Sequence, residues 1–146
     1  MQIKVYDYLA EDAKQIREKV FMQEQGFQNE FDEIDSVAVQ IVMYDETETP
    51  VATCRIFEDT EKGMYVFGRL AVVREYRGRN IGSKMIEAAE QAVLKKGGNG
   101  MKLHAQCRVK NFYEKSGYQA YGEVDEDEGC PHIWMRKELK MEVMRR

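Results

Sequence analysis

The stretch from Gly68 to Val93 (GRLAVVREYRGRNIGSKMIEAAEQAV) constrains the fold of this chain more than any other. It starts with an apolar run typical of a buried strand and continues through a basic loop that contains glycines. Apolar residues then recur on one face of a helix, at Ile81, Met85, Ala88, Ala89 and Ala92. The sequence therefore predicts a strand, a glycine loop and the start of a helix in this order.

A junction of this kind predicts an anion site. The first N–H groups of a helix have no partner within the helix, and the helix dipole adds about half a positive charge there. Glycine and serine in the loop let a phosphate approach the backbone, and Arg77 and Arg79 offer charge-assisted hydrogen bonds. The loop matches neither the Walker pattern G-x-x-x-x-G-K-[ST] nor the dinucleotide fingerprint G-x-G-x-x-G.

The remaining hydrophobic patterns predict one α/β domain over residues 1–146, with the element order β-α-β-β-β-α-β-α-β-β. The strand before the loop and the strand after the long helix form a crossover, so they should pair in parallel. The predicted strands cover residues 2–8, 37–44, 51–57, 64–73, 101–106, 118–122 and 131–138. The predicted helices cover Glu11–Gln25, the stretch from Ile81 onward, and Val109–Ser116.

Composition excludes several classes of protein. The 146 residues, 43% of them hydrophobic and 33% charged, contain no apolar run near the roughly 20 residues of a membrane span. The N-terminus lacks the features of a signal peptide, and the three cysteines suggest reduced thiols, so we expect a cytoplasmic protein. A net charge of −4 argues against nucleic acid as a partner. The acidic runs Glu30–Asp35 and Asp125–Glu128 are interpreted as solvated loops, or alternatively as a field that attracts cationic amines.

Four segments resemble the GCN5-related N-acetyltransferases, the GNAT family. Residues 77–82 (RGRNIG) are similar to its pyrophosphate loop, R/Q-x-x-G-x-G/A, with Asn80 in place of the middle glycine. Asparagine visits positive φ at modest cost, so Asn80 should adopt that conformation. Residues 106–118 (QCRVKNFYEKSGY) resemble N-x-x-A-x-x-F-Y-E-K-x-G-F. Residues 129–135 (GCPHIWM) and 17–25 (REKVFMQEQ) are similar to the ElaA/YjcF branch.

The resemblance implies a GNAT-type mixed sheet, mostly antiparallel, with a central parallel pair and flanking helices. It also implies transfer of an acetyl group from acetyl-CoA to a primary amine by direct attack in a ternary complex. Tyr113 would donate a proton to the departing thiolate, since tyrosine has a reference pKa of about 10, near that of an alkyl thiol. His132 would accept the proton of the amine, because histidine titrates near neutral pH. Glu24, acting through water, is the fallback base.

The same resemblance assigns the remaining site residues. The cofactor would be held by Leu70, Ala71, Val72, Arg77, Gly78, Arg79, Asn80, Ile81, Gly82, Ser83, Gln106 and Phe112, with the three strand residues using only their backbone. The acceptor side is predicted to include Arg17, Phe21, Glu24, Gln25, Arg69 and Arg108, whose arginines would suit a carboxylate or phosphate on the acceptor. The expected partner is a small-molecule amine or other amino-group acceptor, without nucleic acid or membrane, and a homodimer is possible.

Two other functions remain open. A non-catalytic, acyl-CoA-binding regulatory domain would keep the loop and need neither Tyr113, which would be a packing residue, nor His132, which would be structural. A metal-stabilised module could use His104, Cys107, Cys130 and His132. The spacings H-x-x-C and C-x-H are not the usual pairs of zinc ligands, so we predict no metal.

Overall fold

A computed structural model describes residues 1–28 and 30–140 of the chain, and the predicted order of elements is confirmed. The strands are β1 (Gln2–Tyr6), β2 (Val39–Tyr44), β3 (Pro50–Glu58), β4 (Met64–Val72), β5 (Gly100–Gln106), β6 (Gln119–Asp127) and β7 (Cys130–Glu138). The helices are α1 (Glu11–Arg17), α2 (Ile81–Lys95) and α3 (Lys110–Glu114). Short 3₁₀ turns cover Glu33–Ser36, Arg74–Tyr76 and Cys107–Val109. No helix in the described ranges is long and apolar enough to cross a membrane.

The strands form one mixed, seven-stranded sheet in the order β1-β2-β3-β4-β5-β7-β6. Strands β4 and β5 pair in parallel, with Met64–Phe67 opposite Gly100–Leu103, as the crossover through α2 requires. The ladders β1–β2, β2–β3, β5–β7 and β6–β7 are antiparallel. The predicted α/β fold, with a mostly antiparallel sheet and a central parallel pair, is therefore confirmed.

The first of two compact units comprises Met1–Phe57 and Gly68–Ala89. All six residues of β2 are buried, so this strand is covered on both faces. On the first helix, Ala13, Ile16 and Val20 are buried, which confirms the predicted face. From Glu18 to Glu24 this helix is a π-helix, with Gln25 N–H donating to Val20 O, and the chain leaves it near Gly26 at φ 80°. The sequence predicted a single continuous helix to Gln25, so the wider turns of the π-helix differ from the prediction.

The second unit comprises Glu58–Phe67 and the described residues from Glu90 onward. Alternate residues of β5 are buried, and Tyr118 donates its hydroxyl hydrogen to Glu90 at 2.8 Å. The β6–β7 hairpin is longer than predicted. The acidic run Asp125–Glu128 was expected to be a loop, but Asp125–Asp127 belong to β6 and only Glu128 and Gly129 form the turn. The prediction of a loop there is wrong, because pairing with β7 continues to the end of the hairpin.

Candidate functional site

The basic loop adopts the conformation that its sequence predicts. Asn80 has φ 63° immediately before α2, which confirms the expected positive φ. Gly78 has φ 78°, and a Cβ added there would have no atom within 4 Å. The backbone is thus left-handed at two positions, and the open space beside Gly78 permits a close approach of a ligand to the backbone.

The N–H groups of this loop lack backbone acceptors. Among the residues that the structure describes, no backbone carbonyl accepts a hydrogen bond from residues 78–83. The first such bond runs from Lys84 N–H to Asn80 O, at 3.3 Å. N–H groups without a backbone acceptor at the start of a helix of fifteen residues are the donors that bind phosphate groups.

Arg77 is oriented by the protein before any ligand binds. Its Nε donates to Val72 O at 2.9 Å, and a terminal nitrogen pairs with Glu24 at 3.0 Å. Arg74 also reaches Glu24, at 3.5 Å. Burial alone would raise the pKa of Glu24, but the hydrogen bonds and charges of Arg77 and Arg74 lower it. Glu24 therefore positions Arg77, and a carboxylate with a lowered pKa is a poor fallback base.

The strand residues predicted to hold the cofactor lie at the end of β4. This strand continues to Val72, and Arg69 within it has φ 54°, an unusual conformation for an arginine in a strand. Pairing of the cofactor arm with the backbone of Leu70–Val72 stays a prediction.

Arg17 lies in a buried charge cluster, which we define as Arg17, Glu30, Asp35, Gln40 and Arg55. Its side chain is 0% exposed, and it donates to Glu30 at 2.7 Å, to Asp35 at 2.8 Å and to Gln40 at 3.5 Å. A side chain with no exposed surface cannot contact an acceptor molecule. The structure thus gives Arg17 a structural role instead of the predicted acceptor-binding role.

The rest of this cluster shows that the acidic run from Glu30 to Asp35 is not a solvated loop. Arg55 pairs with Asp35 at 2.9 Å and with Asp32 at 2.8 Å. Burial acts to raise the pKa of Asp35, but hydrogen bonds from Arg17, from the Asp32 N–H and from Arg55 hold it well below its usual range. The expectation failed because the arginines that bind this run come from other elements.

The other predicted acceptor residues lie at or near the surface. Arg69 is partly exposed and pairs with Glu30 at 3.2 Å and Asp32 at 3.3 Å, so much of its charge is already matched. Phe21 is half-buried, whereas Gln25 and Arg108 are exposed. Their contact with an acceptor stays a prediction.

Tyr113 lies on α3 within a group of aromatic rings. Its ring contacts Phe112, Phe67 and Tyr118 edge to face, at centroid distances of 5.0, 6.5 and 6.4 Å. Tyr113 and Phe112 are both half-buried. These contacts fix the orientation of the phenol ring, which favours a defined direction for its hydroxyl group.

His132 is on β7, opposite Gln106 on β5, and is 8% exposed. Its Nδ1 lies 2.8 Å from Cys130 O. Because a carbonyl oxygen only accepts, Nδ1 carries the hydrogen, so in the neutral ring the lone pair is on Nε2. This neutral tautomer is the one that a general base requires.

A second histidine adjoins the first, and we define the histidine cluster as His104, Asp125, Asp127 and His132. The two imidazole rings stack at 4.6 Å, and His104 Nε2 lies 2.7 Å from Asp125. Ligand atoms of His104, Asp127 and His132 lie within 4.8 Å of one another. The metal alternative paired these histidines with cysteines; within the described part of the chain, the group that could hold a metal contains neither cysteine. Asp127 was missed because its partner strand and register were not predicted.

Comparison with known proteins agrees with this geometry. Residues 5–139 match the family model described as acetyltransferase (GNAT) domain. The uncharacterised N-acetyltransferase YjcF of Bacillus subtilis is 34% identical over 130 residues, which cover 87% of this chain and 91% of YjcF. The crystal structure of Escherichia coli ElaA is 25% identical and superposes with a TM-score of 0.81, covering 94% of this chain and 99% of ElaA.

A solved structure with the same fold contains the cofactor. An aminoglycoside 6'-N-acetyltransferase complexed with coenzyme A superposes with a TM-score of 0.76, covering 99% of this chain and all of that chain. At 17% identity this likeness shows the fold alone.

Proposed function

Because this chain belongs to the GNAT acetyltransferase family, whose cofactor is acetyl-CoA, we propose that it acetylates the primary amine of a small molecule. The observation that carries the proposal is the loop before α2. Its N–H groups from residue 78 to 83 have no backbone acceptor among the described residues, and Asn80 reproduces the positive φ of a glycine. These are the properties of a pyrophosphate-binding loop.

The residues of the loop fit the cofactor. Its backbone N–H groups would bind the pyrophosphate, and Arg77 and Arg79 would add charge-assisted hydrogen bonds. Arg77 is held by Val72 and Glu24, so little side-chain freedom is lost on binding. The backbone of Leu70, Ala71 and Val72 would pair with the pantetheine arm, and Gln106 and Phe112 would contact the cofactor further along.

Proton transfer would use two side chains of the second unit. Bound acetyl-CoA would supply an electrophilic thioester for the amine. His132 Nε2 takes the proton that the amine gives up, because its lone pair is free while Nδ1 is fixed on Cys130 O. Tyr113 donates a proton to the thiolate that leaves. A backbone N–H near Ala71 or Val72 would face the thioester oxygen and stabilise its negative charge.

The acceptor would meet a smaller set of residues than the sequence predicted. Arg17 is buried and Glu24 is engaged with Arg77, so the remaining candidates are Phe21, Gln25, Arg69 and Arg108. Arg69 is partly neutralised by Glu30 and Asp32. We propose an amine acceptor with a negatively charged group elsewhere in the molecule, for which Arg108 is the most exposed partner.

The test is a thiol-release assay with acetyl-CoA and a panel of amines, run on the wild type, Tyr113→Phe and Tyr121→Phe. We expect release with one class of amine, and a loss of kcat of about 10²- to 10⁴-fold in Tyr113→Phe at unchanged affinity for acetyl-CoA. Tyr121→Phe, the same change at an exposed tyrosine, should behave as wild type. A wild-type kcat in Tyr113→Phe would remove Tyr113 from the mechanism.

The same assay separates the enzyme from a regulatory domain. If calorimetry detects binding of acetyl-CoA but no amine causes thiol release, the non-catalytic function is favoured.

The variant Arg77→Ala tests the loop itself. We expect Kd for acetyl-CoA to rise about tenfold or more, as for a lost charge-assisted hydrogen bond. Arg74→Ala is the matched control, because Arg74 also contacts Glu24 but lies outside the loop pattern. Equal losses in both variants would contradict a specific role for Arg77.

A further inference from the structure

Strand register places four side chains of the histidine cluster on one face of the sheet. In the β5–β7 ladder His104 is opposite Trp134, and in the β6–β7 ladder Asp125 is opposite His132. Residues two apart on a strand point to the same face, so Trp134 shares the face of His132, and Asp127 that of Asp125. The three strands thus present two imidazoles and two carboxylates to one small area.

Each imidazole of the cluster has one nitrogen fixed by a hydrogen bond. His132 Nδ1–H donates to Cys130 O at 2.8 Å, and His104 Nε2–H donates to Asp125 at 2.7 Å. The second nitrogen of each ring is left with a lone pair. Metal-binding histidines show this arrangement, in which a carbonyl or carboxylate accepts the other ring hydrogen and fixes the tautomer.

The spacing of the three ligand atoms suits one ion. Ligand atoms of His104, Asp127 and His132 all lie within 4.8 Å of one another. In a tetrahedral site with bonds of about 2.0–2.2 Å, ligand atoms lie roughly 3.3–3.5 Å apart. Because this limit exceeds the tetrahedral spacing, binding would require small movements of the side chains, and Asp127 is exposed at the end of β6.

We propose that His104 Nδ1, His132 Nε2 and a carboxylate oxygen of Asp127 bind one divalent transition-metal ion, with Zn²⁺ as the preferred ion. Asp125 and Cys130 O orient the two histidines. Imidazole nitrogen favours Zn²⁺ and similar ions over Mg²⁺ and Ca²⁺, which prefer oxygen ligands. Three protein ligands leave a fourth position for water.

The ion would occupy the lone pair that His132 needs as a base. If the proposed function holds, Zn²⁺ therefore inhibits acetyl transfer, and a chelator restores it. Binding of the ion itself does not depend on that activity, because no ligand belongs to the loop or to Tyr113.

The experiment is a calorimetric titration of Zn²⁺ into the chelator-treated protein, in the absence of acetyl-CoA and amine. We expect one equivalent of Zn²⁺ to bind, and Mg²⁺ not to compete. Asp127→Asn and His104→Ala should weaken binding at least tenfold, and Asp125→Asn about 10- to 100-fold, as for loss of an orienting partner. Circular dichroism would show that each variant is folded.

One control makes the result specific. Glu126→Gln removes a charge from the opposite face of β6. This variant should bind Zn²⁺ as wild type does. The proposal is overturned if the wild type binds no Zn²⁺, if Asp127→Asn binds it unchanged, or if Glu126→Gln loses as much affinity as Asp127→Asn. In each case acetyl transfer by the wild type remains a separate observation.

Discussion

The buried charge cluster and the histidine cluster are both built from charged and polar side chains, yet they use their atoms differently. In the buried charge cluster, Arg17 is 0% exposed and its guanidinium hydrogens are taken up by Glu30, Asp35 and Gln40. In the histidine cluster each imidazole is held by one nitrogen and keeps the other lone pair. The first arrangement can hold the fold but has nothing left to bind a ligand. The second can take a proton or an ion.

This difference corrects the acceptor-binding role that the sequence predicted for Arg17. Arg17 was expected at the acceptor, because arginine suits a carboxylate or phosphate on the acceptor. Instead it connects the first helix to the segment of Glu30 and Asp35 and to β2 through Gln40. Charges are costly to remove from water, and those of Arg17, Glu30 and Asp35 remain buried because Arg17 pairs with both carboxylates.

The largest effect is expected for Asp35→Asn in the buried charge cluster. The substitution leaves Arg17 and Arg55 without the carboxylate that they share, so the free energy of unfolding should fall by about 3–5 kcal/mol. Urea denaturation measures it. Glu33→Gln, an exposed change in the same short turn, should cost less than about 0.5 kcal/mol. A loss below about 1 kcal/mol in Asp35→Asn would show that the cluster is not a structural one.

The next effect is a loss of stability in acid. The pKa of Asp35 lies well below its usual range, and that of Asp32 is lowered because Arg55 and Arg69 outweigh the effect of burial. Carboxyls with lowered pKa values stabilise the fold fully above their unfolded pKa of about 3.9, and this contribution is lost as the pH falls through the folded values. Stability should therefore decline steadily below about pH 4.

Glu30 should not contribute to that decline. Burial outweighs its contacts with Arg17 and Arg69 and raises the pKa of Glu30, so its protonation in acid costs little. Urea denaturation at a series of pH values checks this, with Asp35→Asn and Glu30→Gln compared with wild type. Below pH 4, the free energy of unfolding should fall less steeply with pH in Asp35→Asn than in wild type, when each is compared with its own value near neutral pH. In Glu30→Gln the wild-type slope should be retained. A wild-type slope in Asp35→Asn would contradict the assignment.

The smallest effect on stability is expected for Asp127→Asn in the histidine cluster. It is the same chemical change as Asp35→Asn, but Asp127 is exposed at the end of β6, so the free energy of unfolding should change by about 0.5 kcal/mol or less. Urea denaturation without added metal measures it. A loss similar to that of Asp35→Asn would remove the distinction between the two clusters.

Local patterns were enough to predict most of the fold. The turn at Asn80 and the parallel pair of β4 and β5 depend on residues close in sequence or on the crossover rule, and both were confirmed. On the predicted face of α2, Ile81, Met85, Ala89 and Ala92 are buried and Ala88 is half-buried. The π-helical turns after Arg17 and the positive φ of Arg69 were missed, because ordinary side-chain patterns are also compatible with an α-helix and a regular strand.

The two clusters could not be predicted because both depend on contacts between distant segments. Asp35 meets Arg17 and Arg55, which lie 18 and 20 residues away in the chain. The register of β6 against β7 shifts between Tyr121 and Asp125, so counting back from the turn does not by itself give the partners on both sides of the shift. Side chains alternate between the two faces of β5 and of β7. Only the register of these strands shows that His104 and His132 lie on the same face.

The central claim, acetyl transfer to an amine with His132 as base, is tested most directly by the pH dependence of kcat/KM for the amine in wild type and His132→Ala. The wild-type value should rise with pH, because only the neutral imidazole can accept the proton of the amine. At neutral pH His132→Ala should be slower by about 10²- to 10⁴-fold, and the deficit should shrink at high pH as the free amine becomes abundant. A profile in His132→Ala that matches wild type in both height and shape would contradict the account.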